Sequence, residues 1–174
     1  MKQQQQLATA ADDADIIDID VLFYGTVTKY RRDIIDALRA RGIKVLVITD
    51  STWGLYHEGL NDLIRRSKIV LVLNTFGGKA EWKITRFARI LANSRFILAE
   101  RNYVEEEEPF NQTAERGLGG GPGIVFMSAD EITGGGLEAW LLNAEGRRRV
   151  AAEGKRIFSE VLESMVDTLS RIEV

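Results

Sequence analysis

Short apolar runs alternate with amphipathic helical stretches along most of this chain, and that alternation leaves few architectures open. Ile19-Asp-Val-Leu-Phe-Tyr24 ends in Gly25, a strand and its breaker. Tyr30 to Arg41 carries Ile34, Ile35 and Leu38 at helical spacing and is followed by Gly42, a good C-terminal cap. Lys44 to Thr49 reads as a second strand, and Tyr56 to Lys68 as a helix with Leu60, Leu63 and Ile64 on one face. Ile69-Val-Leu-Val-Leu73 is a third strand, apolar on both faces. After the loop Asn74 to Gly78, the pattern gives a helix over Ala80–Ala92, a strand over Phe96–Ala99 and a short strand over Ile124–Phe126. Helices over Ala129–Leu142 and Ala144–Ile172 close the chain, divided near Asn143.

Parallel neighbours need long crossovers, normally helical. A strand apolar on both sides belongs to a sheet covered on both sides. The pattern therefore predicts an α/β, Rossmann-like, open and mostly parallel sheet of about five strands, flanked by helices on both faces. Residues 16–174 make one such domain. Residues 1–15, polar and glutamine-rich, read as a tail or the remnant of a linker.

Composition narrows the function classes. A length of 174 residues suits one domain, and 45% hydrophobic residues suffice for a core. A net charge of −3 speaks against a nucleic-acid surface. With no cysteine, disulfides, thiolate metal sites and cysteine nucleophiles are excluded, and a cytoplasmic location is expected. Met1 to Asp20 lacks a signal-peptide pattern, and no stretch approaches the roughly 18 apolar residues that span a bilayer. The single histidine, His57, rules out a site built on two imidazoles.

In open parallel sheets ligands bind beyond the strand C-termini, where the crossover direction reverses. Three groups of residues fall at such exits. Gly25 and Thr26 precede a helix start bearing Lys29, Arg31 and Arg32, where backbone N–H groups and cations attract phosphate. The plain alternative is a turn with surface charges, and neither glycine-rich phosphate-loop motif is present. Asn74-Thr-Phe-Gly-Gly-Lys79 is the stronger phosphate candidate: Gly77 and Gly78 allow close backbone approach, and Thr75 and Lys79 suit a diphosphate. Its alternative is a flexible turn. Glu81, Arg86, Arg89 and Glu100 form the third group. A carboxylate at Glu100 suits ribose hydroxyls, against the alternative of a solvated ion-pair face.

Weaker signals read blandly. His57 opens a helix as a surface residue, and Glu105–Glu108 form a solvated segment. Arg147-Arg-Arg149 is the wet face of a helix and Trp140 is core. Trp53 and Trp82 flank the expected cleft, where stacking on a base or sugar and core packing remain equal alternatives.

The order of these motifs resembles the C-terminal, donor-binding half of GT-B glycosyltransferases, in the spore-maturation-protein-like, group 1 branch. The resemblance runs from Asp18-Ile-Asp-Val-Leu-Phe-Tyr-Gly-Thr26 through Ala37-Leu-Arg-Ala-Arg-Gly42 and Tyr56 to Asn74. It continues through Arg86-Phe-Ala-Arg-Ile-Leu-Ala-Asn93 and Phe96 to Glu100, and closes at Trp140 to Gly154. It implies a nucleotide-diphosphate sugar as donor substrate, with no metal or other cofactor. Gly25 and Thr26 would approach the phosphates, and Thr75, Gly77, Gly78, Lys79 and Glu81 would face the sugar or diphosphate. Arg86 would neutralise charge, and Glu100 would sit near the nucleoside. The catalytic residues are unassigned. The implied partners are an N-terminal GT-B half, where the acceptor binds, or a homo-oligomer; nucleic acid and a membrane span are not expected.

Two positions depart from the family pattern. Lys83 stands where relatives often carry a glutamate, and Arg89 stands at the partner position of a glutamate pair for which Glu81 is the nearest carboxylate. Two readings thus stay open: a hexosyltransferase-like donor domain that needs its other half for activity, and a non-catalytic interaction or dimerisation module derived from that fold. A phospho-receiver is disfavoured, because strand three ends in Asn74 rather than Asp.

Overall fold

A computed structural model of the chain describes residues 16–49, 58–76, 84–101 and 123–170. The tail of residues 1–15, the acidic run Glu105–Glu108 and the glycine-rich stretch before Gly123 lie outside the described residues. Strands β1 (Ile19–Tyr24), β2 (Val45–Ile48), β3 (Ser67–Val72), β4 (Ile97–Glu100) and β5 (Val125–Met127) form one sheet. Its order is β2-β1-β3-β4-β5, and all four pairings are parallel. The crossover direction reverses once, between β1 and β3.

Successive residues of β1 face opposite layers. Val21 and Phe23 join Ile69 and Leu71 of β3 beneath Ile34, Ile35 and Leu38 of α1 (Lys29–Ala40). Leu22 and Tyr24 join Val70 and Val72 on the other face. There they meet Leu60 and Ile64 of α2 (Glu58–Arg65) and Ile90 and Leu91 of α3 (Ile84–Ala92). Leu22, Phe23, Leu38, Ile64 and Ile90 are wholly buried, each such side chain contributing about 1.5–3 kcal/mol.

Local signals explain the boundaries. Thr28 caps α1, its hydroxyl accepting from the Arg31 N–H, so the helix starts one residue before the expected Tyr30. At its end, Gly42 N–H donates to Arg39 O at 2.9 Å and Ile43 N–H to Leu38 O at 3.2 Å, with φ +84° at Gly42. This double closure needs a left-handed residue, which glycine adopts without penalty. Strand β3 begins at Ser67, ahead of the apolar run, with Lys68 paired to Asp20 of β1 at 2.5 Å.

The single helix expected over Ala129–Leu142 is instead three pieces. Helix α4 (Ala129–Glu131) passes through a wide π-helical turn (Ile132–Gly136) into α5 (Leu137–Leu142). The break falls at three consecutive glycines, of which Gly135 has φ +119°. Helix α6 (Ala144–Ser170) follows. Of the arginines expected on its wet face, Arg148 and Arg149 are exposed, whereas Arg147 turns inward and donates to the carbonyls of Trp140 and Leu141. Those carbonyls end α5; Trp140 O also accepts from the Asn143 N–H at 3.2 Å, and Arg147 adds a side-chain cap to both. Trp140 is half-buried on Phe96, with ring centroids 4.7 Å apart. Helix α6 begins against the α1 layer through Val150 and Ala151 and then packs along α3. At that crossing a Cβ on Gly154 would lie 2.7 Å from the Leu91 side chain and 2.8 Å from Gly123 O. Among the described residues no helix is long and apolar enough to cross a membrane.

Candidate functional site

The switch point lies where β1 and β3 end, and two arginines reach it from opposite faces. Arg31, in the first turn of α1, is 3% exposed. Its Nε donates to Asn74 O at 2.9 Å, Nη1 to Thr26 O at 2.8 Å, and Nη2 to both Leu73 O and Thr75 Oγ1 at 2.8 Å. The guanidinium also lies 5.7 Å from the Phe23 ring centroid. A buried cation is tolerated only where its donors are met, and backbone carbonyls meet them here. Thr28 adds a parallel tie, its hydroxyl donating to Thr75 O at 2.9 Å.

Glu100 ends β4 and is 5% exposed. Its Oε2 accepts from the Asn74 N–H at 2.7 Å, and its Oε1 accepts from the Tyr30 hydroxyl. Burial, and then the carboxylate it bonds, push the Tyr30 hydroxyl well above its ordinary value near 10. Asn74 in turn donates from Nδ2 to Arg101 O at 3.3 Å, and Arg101 N–H donates to Met127 O at 2.8 Å. One polar network thus joins the exits of β1, β3, β4 and β5 on the α1 side.

The opposite side is built differently. Gly25 has φ +127° and donates its N–H to Ile48 O at 2.9 Å. Arg86, early in α3, lies flat beside it: a Cβ added at Gly25 would stand 2.8 Å from Arg86 Nη2. Both the backbone conformation and the clearance therefore call for glycine. The Arg86 guanidinium sits 5.1 Å from the Tyr24 ring centroid. Arg86 makes no hydrogen bond or ion pair with another described residue, and its Nη1 is buried without a hydrogen-bond partner. Asn61 of α2, on the same face, has a buried Oδ1 that is likewise unpartnered.

The residues expected at the site thus divide. Gly25 and Arg86 lie against each other, Gly25 buried and Arg86 half-buried. Thr26 and Thr75 lie at the same edge and are joined through Arg31, the one by its carbonyl and the other by its hydroxyl. Arg31, expected to offer charge to a phosphate, faces inward instead. Glu100 lies at the expected strand end, yet both of its oxygens already accept donors from within the protein. Gly77, Gly78, Lys79 and Glu81 lie outside the described residues, as do Trp53, His57, Trp82 and Lys83.

Comparison with protein-family models, characterised proteins and solved structures finds no match. The site therefore rests on its own geometry. Among the described residues no three His, Asp or Glu side chains gather closely enough to hold a metal ion. What the Gly25–Arg86 corner offers is a guanidinium with unspent donors, in partial burial, against a backbone stripped of its side chain. That arrangement suits an oxyanion delivered by a ligand lying over the β1 exit. Tyr30 and Asn61 carry no distinguishing signal in the sequence, since neither stands in a motif, whereas Asn74 opens the Asn74–Lys79 loop.

Proposed function

We propose that this domain binds a nucleotide-diphosphate sugar over the β1–β3 switch point, as the donor-binding half of a GT-B glycosyltransferase. The observation that carries the reading is Arg86, half-buried against Gly25 with Nη1 left without a partner. A buried donor left unpaired costs about 1–3 kcal/mol, and a phosphate oxygen would satisfy it. The order of the sequence motifs, which resembles that half, supports this reading. In transfer, the acceptor's nucleophilic atom bonds to the sugar's anomeric carbon and gives up its proton, the bond from that carbon to the diphosphate oxygen breaks, and the departing diphosphate keeps the electron pair. Arg86 stabilises the charge that develops there. The acceptor and any base come from a partner half.

Isothermal titration of the full chain with UDP-, GDP- and dTDP-sugars tests the proposal. Saturable binding by at least one of them, weakened more than tenfold in Arg86→Ala, is the expected result. A folded protein that binds none at millimolar concentration contradicts it.

A second reading, a non-catalytic interaction or dimerisation module, draws support from α6. Leu162, Met165 and Val166 are 44%, 56% and 66% exposed along its outer half, an apolar stripe unusual for a solvated helix. Sedimentation analysis decides this reading: a concentration-dependent dimer that Met165→Lys dissociates supports it, and a monomer at all concentrations opposes it.

A further inference from the structure

We infer that Asn61 selects among anionic ligands by accepting a hydrogen bond from a sugar hydroxyl of the same molecule whose phosphate rests on Arg86. This depends on reading the Gly25–Arg86 corner as a phosphate site, and it assigns the part of the ligand that the phosphate leaves undefined.

Leu60 and Ile64 face the sheet from α2, and Ile90, Leu91 and the half-buried Phe87 do so from α3, all in one apolar layer. Asn61 is one residue on from Leu60, about 100° round the helix. Arg86 is one residue back from Phe87, about 100° in the opposite sense. Both helices run antiparallel to the strands they follow, and right-handed crossovers set them side by side. Asn61 and Arg86 thus occupy the flanks that the two helices turn toward each other, above the exit of β1. Arg86 reaches β1 directly, at Tyr24 and Gly25.

Both side chains hold a buried polar atom without a partner, and the two are complementary in kind: Arg86 Nη1 can only donate, and Asn61 Oδ1 can only accept. An ionised diphosphate has acceptors alone, so it can satisfy Arg86 but not Asn61. The ligand must also bring a donor. A sugar hydroxyl is the neutral donor that a phosphorylated metabolite carries close to its phosphate. Glu100, the carboxylate that the sequence favours for that role, is already occupied by Tyr30 and Asn74. Asn61 takes over that recognition from the other face of the sheet.

The test compares inorganic pyrophosphate with UDP-glucose, GDP-mannose and dTDP-glucose, titrated into the parent chain, Asn61→Ala, Asn61→Leu and Arg86→Ala. In the parent, at least one nucleotide sugar binds more tightly than pyrophosphate. Asn61→Ala and Asn61→Leu weaken that sugar about tenfold, the loss of one buried hydrogen bond, and change pyrophosphate less than twofold. Arg86→Ala weakens both ligands. Asn61→Leu keeps or raises the melting temperature of the free protein, which shows that lost affinity is not lost folding. If both Asn61 variants bind the sugar like the parent, or lose pyrophosphate equally, the role of Asn61 is overturned while the phosphate site stands. If the parent binds neither ligand, the phosphate site falls and the role of Asn61 with it.

Discussion

Arg31 and Arg86 come from helices on opposite faces of the sheet and meet the same strand end, yet they are solvated by the protein in opposite ways. Each rides on one of two consecutive aromatics, Arg31 on Phe23 and Arg86 on Tyr24. Arg31 spends hydrogen bonds on three carbonyls and a hydroxyl of the neighbouring exits. Arg86 spends none on the described residues and keeps a buried donor unmet. A saturated arginine fixes architecture; an unsaturated, half-buried one keeps a donor that the described residues do not use. The difference separates an arginine that holds the sheet edge together from one that we propose recognises a ligand there, although both stand at the same topological switch point.

Substitutions can break that contrast, in order of their expected effect on stability. Arg31→Met removes the donors that tie β1 to β3 and strands several buried carbonyls, so urea unfolding should show a loss of about 3 kcal/mol. Gly25→Ala forces a side chain into a positive-φ position and against the Arg86 guanidinium. It should cost about 2 kcal/mol and weaken any nucleotide-sugar binding as Arg86 is displaced.

Tyr30→Phe leaves Glu100 one donor short and should cost about 1.5 kcal/mol near neutrality. Its pH dependence is more telling. The folded state holds the Tyr30 hydroxyl above its ordinary value near 10, so the protonated form is favoured by folding. That contribution is complete below pH 10 and is lost as pH rises beyond it, because the unfolded chain then releases a proton that the folded chain retains. The stability gap between parent and Tyr30→Phe should therefore narrow above pH 10 in alkaline urea titrations. Arg86→Ala sits at the far end of the series. Its effect on stability should be no more than about 0.5 kcal/mol, while the affinity for a diphosphate ligand falls more than tenfold. A large destabilisation by Arg86→Ala would erase the contrast between the two arginines.

The sequence made the architecture legible because periodicity reports burial directly. Ile69 to Leu73 could only be an inner strand, and the helices between strands could only be crossovers. The proximity of Gly25 to Arg86 was also foreseeable, since both stand at exits flanking the reversal. The direction of each polar side chain was not legible. Arg31 and Arg32 are adjacent and chemically identical, yet one is buried and the other exposed. What separates them is the presence of the Leu73, Asn74 and Thr75 oxygens beside α1, a contact more than 40 positions away in the chain. Glu100 followed the same rule: its place at a strand end was correct in position, but Tyr30 and the Asn74 N–H claimed its oxygens. The break at Gly134–Gly136 has a signal in the sequence, three consecutive glycines, but a helical pattern of apolar residues continues across it.

We propose that a diphosphate ligand sits on Arg86 at the glycine exit of β1. Heteronuclear NMR of the isotope-labelled chain, titrated with the nucleotide sugar that binds best by calorimetry, addresses it most directly. The Gly25 amide and the Arg86 Nε–H are expected to shift progressively and saturate together, while the Arg31 Nε–H, locked on Asn74 O, barely moves. Shifts confined to another part of the sheet, or an Arg86 signal unchanged at saturation, would contradict it.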